Sequence, residues 1–264
     1  MLEETKKNEE QPDQEQPTGG SLLNNPNTLP ATRSSGVDGS PAGAEALDMQ
    51  KDVQIPRIAI LQGLSKLVMD GKSTAGKIAN LLTMEVYGDD FTFIPLFVFK
   101  SRAMFIEGKG LSCFSRDGRE CSFNSDNIHM PGDDCMQCPD SQWPTGGDKK
   151  EGPPCSIVYN YPVLDVKNLK QFPSSISLMK TALKAGRNLN SMLVFTGEDF
   201  FARKCKMIIQ KKEGEKGIYF VPMFELAGKT TDEEYAIAKT WYQRLKGSNI
   251  NVDLDSENAD TPDI

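Results

Sequence analysis

The chain has 264 residues, six cysteines, a single histidine and a formal net charge of −7. That length admits one or two domains with a proper core. No apolar run approaches the ~20 residues of a membrane span, and the polar start, MLEETKKNEEQPDQEQP, is not a signal peptide. A cytoplasmic protein with no membrane partner is expected, and with one histidine to serve as general base, not an enzyme.

The negative total conceals segregated charge. Residues 1–50 carry nine acids and three bases, and residues 253–264 carry five acids and no base. The remaining 27 bases and 23 acids leave residues 51–252 at a formal +4. A basic body between acidic ends points to a polyanion partner, with the ends competing for the same surface or recruiting other proteins.

Residues 1–50 are rich in Pro, Gly, Ser and Asn and lack periodic apolar positions, so they are expected to be disordered. Order is expected over 51–247. QIPRIAILQGLSKLVM reads as an edge strand, because of Pro56, followed by a turn or short helix. GKSTAGKIANLLTMEVYGDD reads as a loop, a strand and a turn. Gly71, Gly76 and Lys77 have Walker A spacing, but Ile78 stands where a phosphate loop needs Ser or Thr, so nucleotide hydrolysis is not expected there. FTFIPLFVFKSRAMF, residues 91–105, is the strongest strand signal. Phe91, Phe93, Phe97 and Phe99 share one parity; Ile94, Leu96, Val98, Lys100 and Arg102 share the other. Apolar residues on both faces make most of the phenylalanines core, and Lys100 and Arg102 are candidates for phosphate contact.

Residues 110–155 hold five of the six cysteines: Cys113, Cys121, Cys135, Cys138 and Cys155. The segment is rich in Gly, Pro, Asp and Ser and has too few apolar residues for a core of its own. Cys135 and Cys138 form a C-x2-C knuckle that points two thiolates at one spot, and zinc needs four such donors in a tetrahedron. The preferred ligands of a structural zinc are Cys113, Cys135, Cys138 and Cys155. Cys121 is the alternative first ligand, and His129 is a possible substitute for one cysteine. Disulfides are disfavoured in a reducing compartment. A catalytic zinc would need His or carboxylate ligands and an open position.

SIVYNYPVLDV resumes the sheet, with Tyr159 and Tyr161 either half-buried or stacking on bases. PSSISLMKTALKAGRNLNSMLVF reads as the clearest helix. Ser174 or Ser175 caps it, Ile176, Met179, Leu183 and Gly186 form its buried stripe, and Lys180, Lys184 and Arg187 line another face, either solvated or on phosphates. FFARKCKMIIQKKEGEKGIYFVPMFELAG reads as a hairpin. Its first arm sets Lys204, Lys206 and Lys212 opposite Cys205, Met207 and Ile209, with the lone Cys205 expected in the core. TTDEEYAIAKTWYQRLKG closes the fold as a helix capped by Thr230 or Thr231. Residues 248–264 form an acidic tail. The fold class is mainly β, within α+β. The expected form is an OB-like five-stranded barrel with a zinc-stapled loop insertion, one interstrand helix and a C-terminal helix, between disordered tails.

The IPLFVFK strand, the C…C-x2-C-P…PPC loop and the helix after it resemble a group of bacteriophage proteins. The layout also resembles phage single-stranded DNA-binding proteins of the T4 helix-destabilising type, which carry a zinc subdomain within an OB-fold and an acidic tail. The resemblance implies the zinc role for Cys113, Cys135, Cys138 and Cys155. It further implies non-catalytic binding and protection of single-stranded DNA during phage replication or recombination, in the host cytoplasm. The tail would autoinhibit or recruit replication and recombination proteins. A zinc-ribbon adaptor of a replication or transcription complex is the alternative.

Overall fold

A computed structural model describes residues 55–106, 109–124, 130–143, 152–214, 217–246 and 252. The expectations for residues 1–50, for His129 and, apart from Val252, for the acidic tail lie outside the described residues.

The strands are Arg57–Ile60 (β1), Ile78–Asn80 (β2), Val86–Gly88 (β3), Asp90–Pro95 (β4), Phe99–Ile106 (β5), Gly110–Ser115 (β6), Phe123–Asn124 (β7), Cys155–Asp165 (β8), Ser174–Leu178 (β9), Arg203–Gly214 (β10) and Gly217–Lys229 (β11). The helices are Lys66–Met69 (α1), Leu183–Phe195 (α2) and Asp232–Leu245 (α3). One sheet runs β11, β10, β4, β8, β9, β1, β2, β3, and β5, β6 and β7 branch from β8. The protein is mainly β with a few helices. None of the described helices is long and apolar enough to cross a membrane.

β8 positions everything else. One of its edges pairs with β5 over residues 155–160 and then with β4 over residues 163–165. Its other edge pairs with β9 over residues 159–163. The strand expected over 91–105 is therefore two strands. Pro95 pairs with Val163, and Leu96 donates to the carbonyl of Pro162 at 2.9 Å. Pro162 has no N–H to return the bond, so the ladder breaks there and the chain re-enters as β5.

The parity of that segment holds only up to the break: beyond it Phe97 packs with Ile94 and Leu96, and Val98 with Phe91 and Phe93. Phe91 and Phe93 point into a core with Tyr161, Leu178, Leu189 and Leu193, under α2. Ile94 and Leu96 point the other way, into a core with Leu164, Phe201 and Ile237, under α3. β4 is thus buried on both faces, and Phe91 and Phe93 are core, as expected. Cys205 is also core, fully buried beside Met207.

Three expectations are corrected. β1 is interior, not an edge: it pairs with β2 on one side and, in parallel, with β9 on the other. The sheet is open and does not form a closed five-stranded barrel, because both edges of β1 are taken and none is left for β11. The Gln62 side chain spans the gap, donating to the Phe220 carbonyl at 2.9 Å and accepting from its N–H at 3.0 Å. The helix expected from Ser174 starts nine residues later, at Leu183. Residues 174–178 fit period two as well as a helical stripe, and pairing with both β8 and β1 decides for the strand. α2 buries Gly186, Leu189 and Leu193. α3 is capped by Thr231 through a reciprocal capping box with Glu234.

Candidate functional site

The cysteine-rich segment is an extension of the sheet. Met104 of β5 pairs in register with Cys113 of β6 on one side and Cys155 of β8 on the other. Residues directly opposite share a face, so Cys113 and Cys155 flank Met104 on one side of the sheet. The knuckle is stitched over them by backbone bonds: Cys135 N–H to the Arg119 carbonyl at 2.7 Å and Cys121 N–H to the Asp133 carbonyl at 2.9 Å.

Cys113, Cys121, Cys135, Cys138 and Cys155 all line one cavity of about 10 Å³, with Met104, Asp133, Asp140 and Ser141. That is room for one ion or water. The Cys113 and Cys121 sulfurs are 3.7 Å apart, close to the ~3.8 Å edge of a tetrahedron with ~2.3 Å metal–sulfur bonds. Among the described residues, no group of three or more His, Cys, Asp or Glu side chains already stands in a metal-holding arrangement, so an ion would have to draw the other sulfurs inward. Burial pushes the Cys113 and Cys155 thiols up to about 12 and raises Cys135 as well. These three cysteines are therefore neutral thiols without a metal, and a metal would displace their protons. The donor chemistry fits a thiophilic ion such as zinc. Five thiols face four coordination positions, and both Cys113 and Cys121 line the cavity.

The same sheet face continues past the cysteines. Lys100 pairs in register with Tyr159, and its ammonium lies 5.9 Å from the ring centroid. α2 crosses the other side of this tyrosine. A Cβ added at Gly186 would stand 2.9 Å from the Tyr159 ring, so only glycine lets the helix approach this closely. Lys184 and Arg187, on either side of Gly186, are exposed. The β6–β7 turn, at Gly118, lies against Lys100 and brings in Arg116 and Arg119, both exposed. None of Lys100, Arg116, Arg119, Lys184 and Arg187 forms an ion pair among the described residues.

A model of the Pam3 phage gp34-like protein family matches residues 24–251. The chain belongs to this phage family. No curated protein and no solved structure matches it. In this family member the residues singled out from sequence divide into those the fold gathers and those it separates. Lys100 and Tyr159 share the sheet face of Cys155, and Lys184 and Arg187 are exposed on α2, which packs on that face at Gly186. Tyr161 is fully buried, and its hydroxyl donates to the Gly186 carbonyl or the Asn190 side chain, at 3.0 and 2.8 Å. It ties α2 to β8 and offers no ring to a base. Arg102 is buried beside the cysteine cavity. Lys180 sits half-buried in the 3-10 turn before α2, at φ 46°.

Lys204 is paired with Glu234 at 3.1 Å and holds α3 to β10, and Lys206 is paired with Asp90 at 2.8 Å. Lys212 is exposed near the tip of the β10–β11 hairpin. The Walker-like stretch runs from Gly76 into β2, not into a helix, and Lys77 pairs with Asp89 at 2.7 Å. Sequence reasoning missed Arg116 and Arg119. Their signal was the SRDGRE turn, two arginines around an Asp-Gly pair inside the cysteine segment, with Gly118 at φ 73°.

Proposed function

We propose that this protein binds single-stranded DNA without catalysis, in phage replication or recombination in the host cytoplasm, through the face of Lys100, Tyr159, Lys184, Arg187, Arg116 and Arg119. The observation that carries the reading is this group of cations, none of them in an ion pair among the described residues, near a half-buried tyrosine, in a chain whose net charge is −7. The cations would neutralise phosphates and release counterions, and Tyr159 would stack on a base with little sequence preference. Four of the five clustered cysteines would hold a structural zinc, whose chemistry here is to fix the knuckle bordering this face. The acidic ends would compete for the face or recruit replication and recombination proteins.

The test is a titration of labelled oligo-dT and of a matching duplex, at low and moderate salt, with zinc-loaded protein. Salt-sensitive binding to the strand and not to the duplex supports the reading; binding to neither removes it. A second reading, a zinc-ribbon adaptor that docks on another protein, is favoured by Met136 and Trp143, which are 60% and 64% exposed on the knuckle. Loss of a captured replication protein on Trp143→Ala, with no DNA affinity in the parent protein, would select it.

A further inference from the structure

Arg102 is 7% exposed, and its partners all belong to the cysteine extension. Its Nη1 donates to the Cys155 carbonyl at 3.4 Å and its Nε to the Gly118 carbonyl at 3.3 Å. Its Nη2 lies 4.0 Å from the Met136 sulfur, inside the C-x2-C knuckle. It has no carboxylate partner among the described residues. A guanidinium is always charged, and a buried charge without a counter-charge is strongly destabilising. Two carbonyls and a thioether supply dipoles but no negative charge. The anions this position can face are the sulfurs: the guanidinium donates to the carbonyl of Cys155 and reaches the sulfur of Met136, the neighbour of Cys135. Four thiolates around one divalent ion carry a net charge of −2, which is the complement a lone buried cation lacks.

We propose that Arg102 is the built-in counter-charge of a tetrathiolate zinc centre, a positioning residue that offsets the ligands' negative charge while tying Cys155 and the Gly118 turn to the knuckle. This rests on the metal reading above. It also explains why an arginine with the parity of Lys100 is withdrawn from the DNA face. The ligands' outer partners commonly set metal affinity by about 10–100-fold.

The experiment measures zinc per chain and the zinc dissociation constant, by chelator competition, for the full-length protein and for Arg102→Gln and Arg102→Lys. Thermal unfolding monitors the fold in parallel. Wild type should bind one zinc. Arg102→Gln should bind it about 10–100-fold more weakly, and Arg102→Lys, which keeps the charge but not the two-carbonyl fork, should recover most of the loss. Cobalt-loaded protein should give the same ranking through its thiolate-to-metal absorption. Unchanged affinity in Arg102→Gln overturns the proposal. So does an Arg102→Lys protein as weak as Arg102→Gln, because the arginine would then act only by tying backbone. If Arg102→Gln is not recovered folded, Arg102→Lys decides alone: affinity within tenfold of wild type supports the proposal and a loss beyond 100-fold overturns it. A wild-type protein that takes up no zinc is a different failure, that of the metal reading itself.

Discussion

The body around β4, β8 and α2 and the extension around β6, β7 and the knuckle are held by different physics. The body buries aliphatic and aromatic side chains on both faces of β4. On α2, Leu189 and Leu193 are both fully buried, and each such burial stabilises by about 1.5–3 kcal/mol. The cluster at the centre of the extension consists of Met104 and four cysteines, with Ile106 packed against it. Backbone hydrogen bonds shape that extension, but it has little apolar area to offset the entropy of ordering its turns. A segment of this composition depends on whatever joins its thiols.

Removing one thiol should separate the two regions most sharply. Cys135→Ser is expected to abolish stoichiometric zinc and to open residues 110–155 to protease, while the body's unfolding transition stays in place. A structural zinc contributes on the order of 10 kcal/mol to the segment it orders, so a fully protected extension in this variant would break the comparison. The converse substitution, Leu193→Ala, should cost the body about 2–5 kcal/mol by chemical denaturation and leave zinc stoichiometry unchanged. Between the regions sits Gly186→Ala. The new methyl would meet the Tyr159 ring, an overpacking cost of about 1–3 kcal/mol, and it should weaken oligo-dT binding by displacing that ring. Thr231→Ala, which removes the α3 cap, should cost about 1 kcal/mol and alter neither zinc nor DNA binding.

The smallest effect concerns pH. Burial pushes the Cys205 thiol up to about 12. Its folded value is raised, so its contribution to stability is full below the ordinary thiol range and is lost as pH rises through 12. At pH 8, alkylation followed by mass spectrometry should leave Cys205 unmodified in folded protein. Zinc removal should expose the extension's cysteines to the reagent and still spare Cys205; modification of Cys205 together with them would mean that the regions unfold as one.

Much of the body was legible from pattern. Alternation separated the two cores correctly over residues 91–96, because strand parity is a local property, but Phe97 and Val98 lie in the opposite cores to those their parity assigned. Thr231 and Glu234 announced α3, because a capping box is local too. The break after Pro95 was harder to see, since it depends on Pro162 standing opposite Leu96. Residues 174–178 were misread as helix because Ile176 fits a helical stripe with Met179 and Leu183 as readily as a strand face with Leu178, until β8 and β1 bracket it. In the site, cysteine spacing showed that a cluster would form. The division of the cations was not visible. Lys204 and Lys206 find acids on α3 and β4, Arg102 turns toward sulfurs, and Arg116 and Arg119 reach Lys100 only through the β6–β7 turn. Such partners are set by register between distant strands, which no single stretch of sequence displays.

The most direct test of the central claim is the salt dependence of oligo-dT binding by wild type and by the Lys184→Glu/Arg187→Glu double variant. Each lost phosphate contact should reduce the slope of log K against log salt by about 0.7. The account predicts weaker binding and a slope shallower by about 1.4, with zinc content unchanged. Equal slopes and equal affinity would contradict the assignment of this face to DNA.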